Sequence, residues 1–222
     1  MTSNNGAVLA ILGVAGLTLF LKSNRYSGYE TFAVSDFIQP ELVAGIAASL
    51  PENEDDFILA AWEMVGNEIT YEPIASDIYF LGDTVQCLKC YRATAALERR
   101  LGNCVAKSSL LASILANRIP DDRLMMVIGD LRNNGTGGHA WLNVNRGGKW
   151  YLVESTLPPK MSNPWTEVSA TGSVYIPAIY ISRNEFICGD PEMCFTAGMS
   201  VAIDKGRMLT DCPVCSIQGA RL

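Results

Sequence analysis

Histidine is almost missing from this chain, which holds a single one, His139, among 222 residues. That scarcity argues against a catalytic zinc, whose ligand sets lean on several imidazoles. It also means that any histidine-dependent step must use His139. Dense lysine or arginine runs are missing too. With 17 basic against 23 acidic residues, a formal charge of −6 and a pI near 4.8, a phosphate backbone is repelled more than attracted. Nucleic acid is therefore not an expected partner. Internal repeats and low-complexity tracts are absent, which excludes solenoids and long linkers. What is present is an ordinary globular balance, 18% charged and 49% hydrophobic, in a length that suits one main domain with appendages. Seven cysteines is an odd count, so a full set of internal disulfides would leave a thiol over.

The run from Gly6 to Leu21, GAVLAILGVAGLTLFL, carries no charge and is too apolar for a surface helix, though short of the roughly 20 residues a bilayer span prefers. No basic residue precedes it, Lys22 and Arg25 follow it, and no small-residue cleavage site closes it. The reading is a single-pass N-terminal membrane anchor over residues 1–23, with the bulk of the chain on the cytoplasmic side. A buried core helix or an uncleaved signal is the alternative. With such an anchor the domain would sit in a reducing compartment, where thiols stay free.

After a polar connector, Asn24 to Thr31, the stretches Asp36 to Leu50 and Asp55 to Ile69 place apolar residues at helical spacing behind acidic starts. A loop with Pro73 and Gly82 leads to a third helical region, Thr84 to Leu101. Gly102 interrupts it, and a mainly buried helix begins near Asn103. Strands are predicted at Leu124 to Ile128, His139 to Val144, Lys149 to Ser155 and Val174 to Ile181, rich in β-branched and aromatic residues between glycine-bearing turns. Helices first and strands afterwards predict an α+β domain. The organisation predicted is an anchor (1–23), a helical lead-in (24–68), a catalytic domain (69–185) and a cysteine-rich tail (186–222).

Gly102-Asn103-Cys104 supplies a turn glycine, an N-cap residue and then a thiol. A helix N-terminus favours the thiolate form of a cysteine, which is the nucleophilic one. His139 stands in Gly137-Gly138-His139-Ala140-Trp141 at the start of a strand, and Glu154 ends the next strand. If the Gly147-Gly148 pair makes a two-residue turn, Arg146 pairs with Lys149, and His139 and Glu154 become diagonal neighbours on one face. A four-residue loop sets them directly opposite; only an odd-length turn separates them. A carboxylate on one ring nitrogen orients the other to take a proton from a cysteine. Cys104, His139 and Glu154 are thus the catalytic set, with the backbone N–H of Cys104 as oxyanion donor and Gln86, or else Tyr79 or Tyr91, as a second donor.

Three blocks, Gly102 to Leu111, Gly138-His139-Ala140-Trp141 and Trp150 to Thr156, resemble the transglutaminase-like superfamily in order, spacing and local context. The resemblance runs from about Ile69 to Thr156. It implies a papain-like α+β core, with the cysteine at a helix N-terminus packed on an antiparallel sheet that carries the histidine and the acid. The implied chemistry is acyl transfer from an amide or peptide bond of a protein or peptide, through a thioester, to water or to an amine. The family acid is usually aspartate, whereas here it is Glu154. A catalytically inactive scaffold of the same fold is the other reading of that change.

Cys87-Leu-Lys-Cys90 and Cys212-Pro-Val-Cys215 form two CxxC pairs, the usual donor set of a structural zinc clamping the tail to the body. Cys188 and Cys194 offer a competing pairing with Cys212 and Cys215. Separate reduced cysteines, or a disulfide if the domain lies outside the cytoplasm, are the alternatives. Catalysis itself calls for no cofactor.

Overall fold

The computed structural model describes residues 29–74, 76–81, 84–90, 92–132, 136–156, 165–168, 174–183 and 186–188. In chain order these hold β1 (Glu30–Ala33), α1 (Ala44–Ser49), α2 (Glu54–Glu68), β2 (Thr70–Tyr71), β3 (Asp77–Leu81), β4 (Thr84–Leu88), α3 (Ala93–Arg99), β5 (Leu101–Gly102) and α4 (Cys104–Leu115). The strands β6 (Leu124–Arg132), β7 (Thr136–Arg146), β8 (Lys149–Val153), β9 (Trp165–Glu167), β10 (Tyr175–Ile181) and β11 (Phe186–Cys188) follow. Helices and strands are mixed, helices mostly first, as the order of hydrophobic patterns predicts.

Helix α4 is the centre. Val105 to Leu115 are all buried, and a helix apolar on every side is stable only when surrounded. Its polar residues are paired: Ser109 Oγ donates to Phe37 O at 2.5 Å, Ser113 Oγ to Ser109 O at 2.7 Å, and Lys107 Nζ to Ile69 O at 2.7 Å. Each bond offsets the cost of taking a polar group out of water. Helix α2 packs against α4 through Phe57, Ile58, Ala61, Trp62 and Val65, so the lead-in and the strands share one core. Asn53 caps α2 by accepting from Asp55 N at 3.0 Å, and the acidic first turn pairs outward, Glu54 with Arg123 and Asp55 with Arg146.

The main sheet is antiparallel, in the order β11-β10-β6-β7-β8-β9. Period-two alternation gives it two different faces. Met126, Ala140, Leu142, Val144, Val153 and Ile179 join the helices' core. Val127, Trp141, Trp150, Leu152 and Tyr180 form a second apolar cluster. Among the described residues there are two smaller sheets, antiparallel β1-β4-β3 and the parallel pair β2-β5.

Three expectations are corrected. Thr84 to Leu88 is a strand, not the start of a helix, because it hydrogen-bonds between β1 and β3, and only Ala93–Arg99 of that region is helical. The single-pass membrane anchor and the localisation drawn from it are not supported: no helix among the described residues is long and apolar enough to cross a membrane. Gly6 to Leu21 itself lies outside the described residues. Cys87 and Cys90, expected as zinc ligands, are joined to each other in a disulfide with Cα atoms 5.6 Å apart, an ordinary bridging span. Their sulfurs are therefore not thiolate donors. Cys212, Cys215 and Cys194 lie outside the described residues, and among those described no group of three or more metal-binding side chains is present.

Candidate active site

Asn103 begins the site. Its Oδ1 accepts from Ala106 N at 3.1 Å, capping α4, while its Nδ2 donates to Ser76 Oγ at 2.7 Å, Ile74 O at 3.1 Å and Lys89 O at 3.2 Å. One side chain thus caps the start of the helix and ties it to the chain before β3 and to the disulfide loop. Lys89, between the two bridged cysteines, takes the left-handed conformation at φ 60°. Cys104 is the first helical residue, and its thiol is free.

His139 and Glu154 meet through the two-residue turn. Gly147 and Gly148 have φ of +60° and +82°, the mirror-image turn that matches strand twist and that glycine adopts without strain. Arg146 therefore pairs with Lys149 and Leu142 with Val153, which leaves Glu154 diagonal to His139 on the same face. The imidazole Nε2 donates to Glu154 Oε2 at 2.7 Å. Cys104 acts on the same ring, favouring its protonated form.

Burial pulls the His139 imidazole down. The hydrogen bonds to Cys104 and Glu154, with their negative charge, outweigh that and raise it from 6.5 to about 10. Glu154 is almost wholly buried, which pushes its carboxyl up, but His139 and the two donors of Thr156 outweigh burial and hold it below the usual carboxylate range. Both groups are thereby kept charged, which is how a buried ion pair is tolerated.

Several neighbours surround the site, and of these Trp62, Tyr71 and Tyr175 carry no signal in the sequence pattern. Thr156 gives Glu154 Oε1 two hydrogen bonds, from its backbone N–H at 2.9 Å and its hydroxyl at 2.7 Å. Tyr175, from β10, donates to Oε2 at 3.1 Å. Trp62 of α2 donates its indole N–H to the Glu154 carbonyl at 2.7 Å. The hydroxyls of Ser108 and Ser155 lie 2.8 Å apart, joining α4 to the end of β8. Tyr71 pairs with Gly102 in β2-β5; partial burial raises its phenol, and so does the negative charge of Cys104 and Glu154, so it stands within their field. Lys107 is lowered to about 8 by burial, against the pull of Glu154. Ser155 and Thr156 belong to the third sequence block, and short hydroxyl residues two positions on commonly bond a carboxylate's own loop. Gln86 lies on β4, between Thr31 of β1 and Tyr79 of β3; Tyr91 lies outside the described residues.

No protein-family model matches the chain, and no curated protein matches it. Among solved structures it is similar to a candidate cysteine protease from Cytophaga hutchinsonii, at 18% identity over 64% of this chain and 47% of that one, with a TM-score of 0.44. This chain thus spans about half the length of that protein. It is also similar to LapG of Legionella pneumophila, at 17% identity over 67% of this chain and 87% of that one, with a TM-score of 0.42, and to the EGTA-treated form of LapG at 0.41.

Proposed function

We propose that this protein is a transglutaminase-like cysteine hydrolase that acts on an amide or peptide bond of a protein or peptide. The observation that carries the reading is the position of the sole histidine, held by Glu154 at 2.7 Å on one nitrogen and near enough to Cys104 for its charge to act on the ring. In this reading the Cys104 thiolate attacks the amide carbonyl, and His139, as imidazolium, gives its proton to the departing amine. The product is a thioester on Cys104. Water, deprotonated by His139, then attacks the thioester carbonyl and releases the acid and the thiol; an amine in place of water would give transfer. Glu154 stays ionised throughout and keeps Nδ1 aimed at the sulfur. The negative oxygen of each tetrahedral intermediate is assigned to the backbone N–H of Cys104 at the helix start, with Gln86 as second donor. No cofactor enters these steps.

The test is iodoacetamide labelling of the full chain as a function of pH, mapped by peptide mass spectrometry, in the wild type and in His139→Ala. Labelling of Cys104 that persists below neutral pH and is lost in His139→Ala supports the relay. Labelling that is ordinary or absent in both proteins removes the enzyme and leaves an inactive scaffold of the same fold.

A further inference from the structure

We propose that Tyr175 is a positioning residue of this site, one that holds the longer glutamate arm so that its Oε2 faces the imidazole; this rests on the Cys104-His139-Glu154 reading above. A glutamate has one more rotatable bond than the aspartate usual in the family that the sequence resembles, so its carboxylate needs more fixing to hold one geometry. A carboxylate offers about four acceptor positions, and four donors converge on this one. Thr156 N–H and Oγ1 occupy Oε1, while His139 Nε2 and the Tyr175 hydroxyl occupy Oε2. Thr156, only two residues away, anchors one oxygen locally. Tyr175 approaches the other from a separate strand and limits where Oε2 can swing.

The sheet is built to let it reach. Tyr175 lies opposite Leu131 on β6, and His139 lies opposite Gly129, two residues back on the same face. Gly129 puts no side chain there: an added Cβ would meet Ile176 O at 2.1 Å and Trp141 Cη2 at 2.9 Å. The register shifts between Pro177 and Ile179. Tyr175 and Tyr180, five residues apart, would lie on opposite faces of a regular strand. With the bulge both face the cluster that holds Trp141, Tyr180 being opposite Val127. The Tyr175 ring is then held edge-on against Trp141, centroids 5.2 Å apart, and tilted over His139 at 6.2 Å.

The experiment is a double-substitution cycle on Cys104 alkylation by iodoacetamide at pH 6, using wild type, Tyr175→Phe, Glu154→Asp, the double variant and His139→Ala, with each melting temperature measured alongside. Tyr175→Phe keeps the ring and its contacts and removes the hydroxyl alone. We expect it to slow alkylation about tenfold, the worth of one hydrogen bond to a charged group. In the double variant the loss should be smaller than the product of the two single losses, because Tyr175 acts through the glutamate. As the chain has one histidine, its imidazole NMR signal is unambiguous, and its titration should move in Tyr175→Phe, which a purely structural tyrosine would not cause. An unchanged alkylation rate in Tyr175→Phe, or losses that multiply independently, overturns the role of Tyr175 if His139→Ala still abolishes low-pH labelling. If His139→Ala labels like the wild type, the underlying relay fails and takes this inference with it.

Discussion

The indole N–H of Trp62, midway along α2, donates to the backbone carbonyl of Glu154 across 92 residues of sequence, at 2.7 Å. The helix thereby fixes the main chain at the point where β8 ends and the carboxylate begins. Trp62→Phe leaves that buried carbonyl without a partner and a small void beside it, so we expect a stability loss of about 2–3 kcal/mol. Urea denaturation with and without the substitution measures it, and alkylation of Cys104 should slow in parallel as Glu154 loosens.

The charge state of His139 makes stability depend on pH with a defined sign. Its folded value, about 10, stands above the ordinary 6.5. The folded state therefore binds the proton more tightly, and the contribution is full below about 6.5 and lost as pH rises toward 10. Glu154, held below its usual range, adds a contribution present at neutral pH and lost on acidification. Lys107, lowered to about 8, works the other way, favouring the fold as pH rises from about 8 toward its ordinary value. In His139→Gln the fall in melting temperature between pH 6.5 and 10 should flatten, and the Lys107 trend should emerge alone. A wild-type profile that coincides with His139→Gln across this range would contradict the assignment.

Asn103 has two functions that separate by substitution. Asn103→Asp keeps the oxygen that caps α4 and loses the three bonds donated by Nδ2, whereas Asn103→Ala loses both. A helix cap is worth about 1 kcal/mol, so thermal melts should rank wild type above Asn103→Asp and Asn103→Ala lowest. Equal melting of the two variants would show that Nδ2, and not the cap, carries the stability.

Gly129→Ala should be the most damaging single-methyl addition in the sheet. The atom that its Cβ would meet at 2.1 Å is the Ile176 carbonyl, part of the main chain of β10, so the strand itself must move. We expect a cost of about 3 kcal/mol, read by denaturation, together with slowed alkylation because Tyr175 moves with β10. Gly138→Ala meets nothing within 4 Å and serves as the control, expected to melt near the wild type.

The parts of this protein set by local chemistry were legible in the residues. Asn103 caps α4 as its amide and its place before an apolar run require, and the glycine pair at 147–148 makes the short turn that puts His139 and Glu154 on one face. The helix expected over Thr84 to Leu88 failed because pairing with β1 and β3 overrides local propensity. Glu30, Thr31 and Asp77 to Leu81 read as connector and loop for the same reason: their strand character comes from a partner elsewhere in the chain.

By itself, then, the sequence determined that a lone histidine and an acid one hairpin away share a face and that a thiol stands at a helix start, because short-range geometry follows from turn length and helix capping. The tertiary structure alone decided what surrounds them. Tyr175 reaches the carboxylate only because a bulge resets the parity of β10 and Gly129 leaves the face bare, and Trp62 holds the same residue's carbonyl from a helix 92 positions away. Cys87 and Cys90 are closed on each other. Such contacts join segments far apart in the chain, and neither periodicity nor propensity encodes which of them will meet.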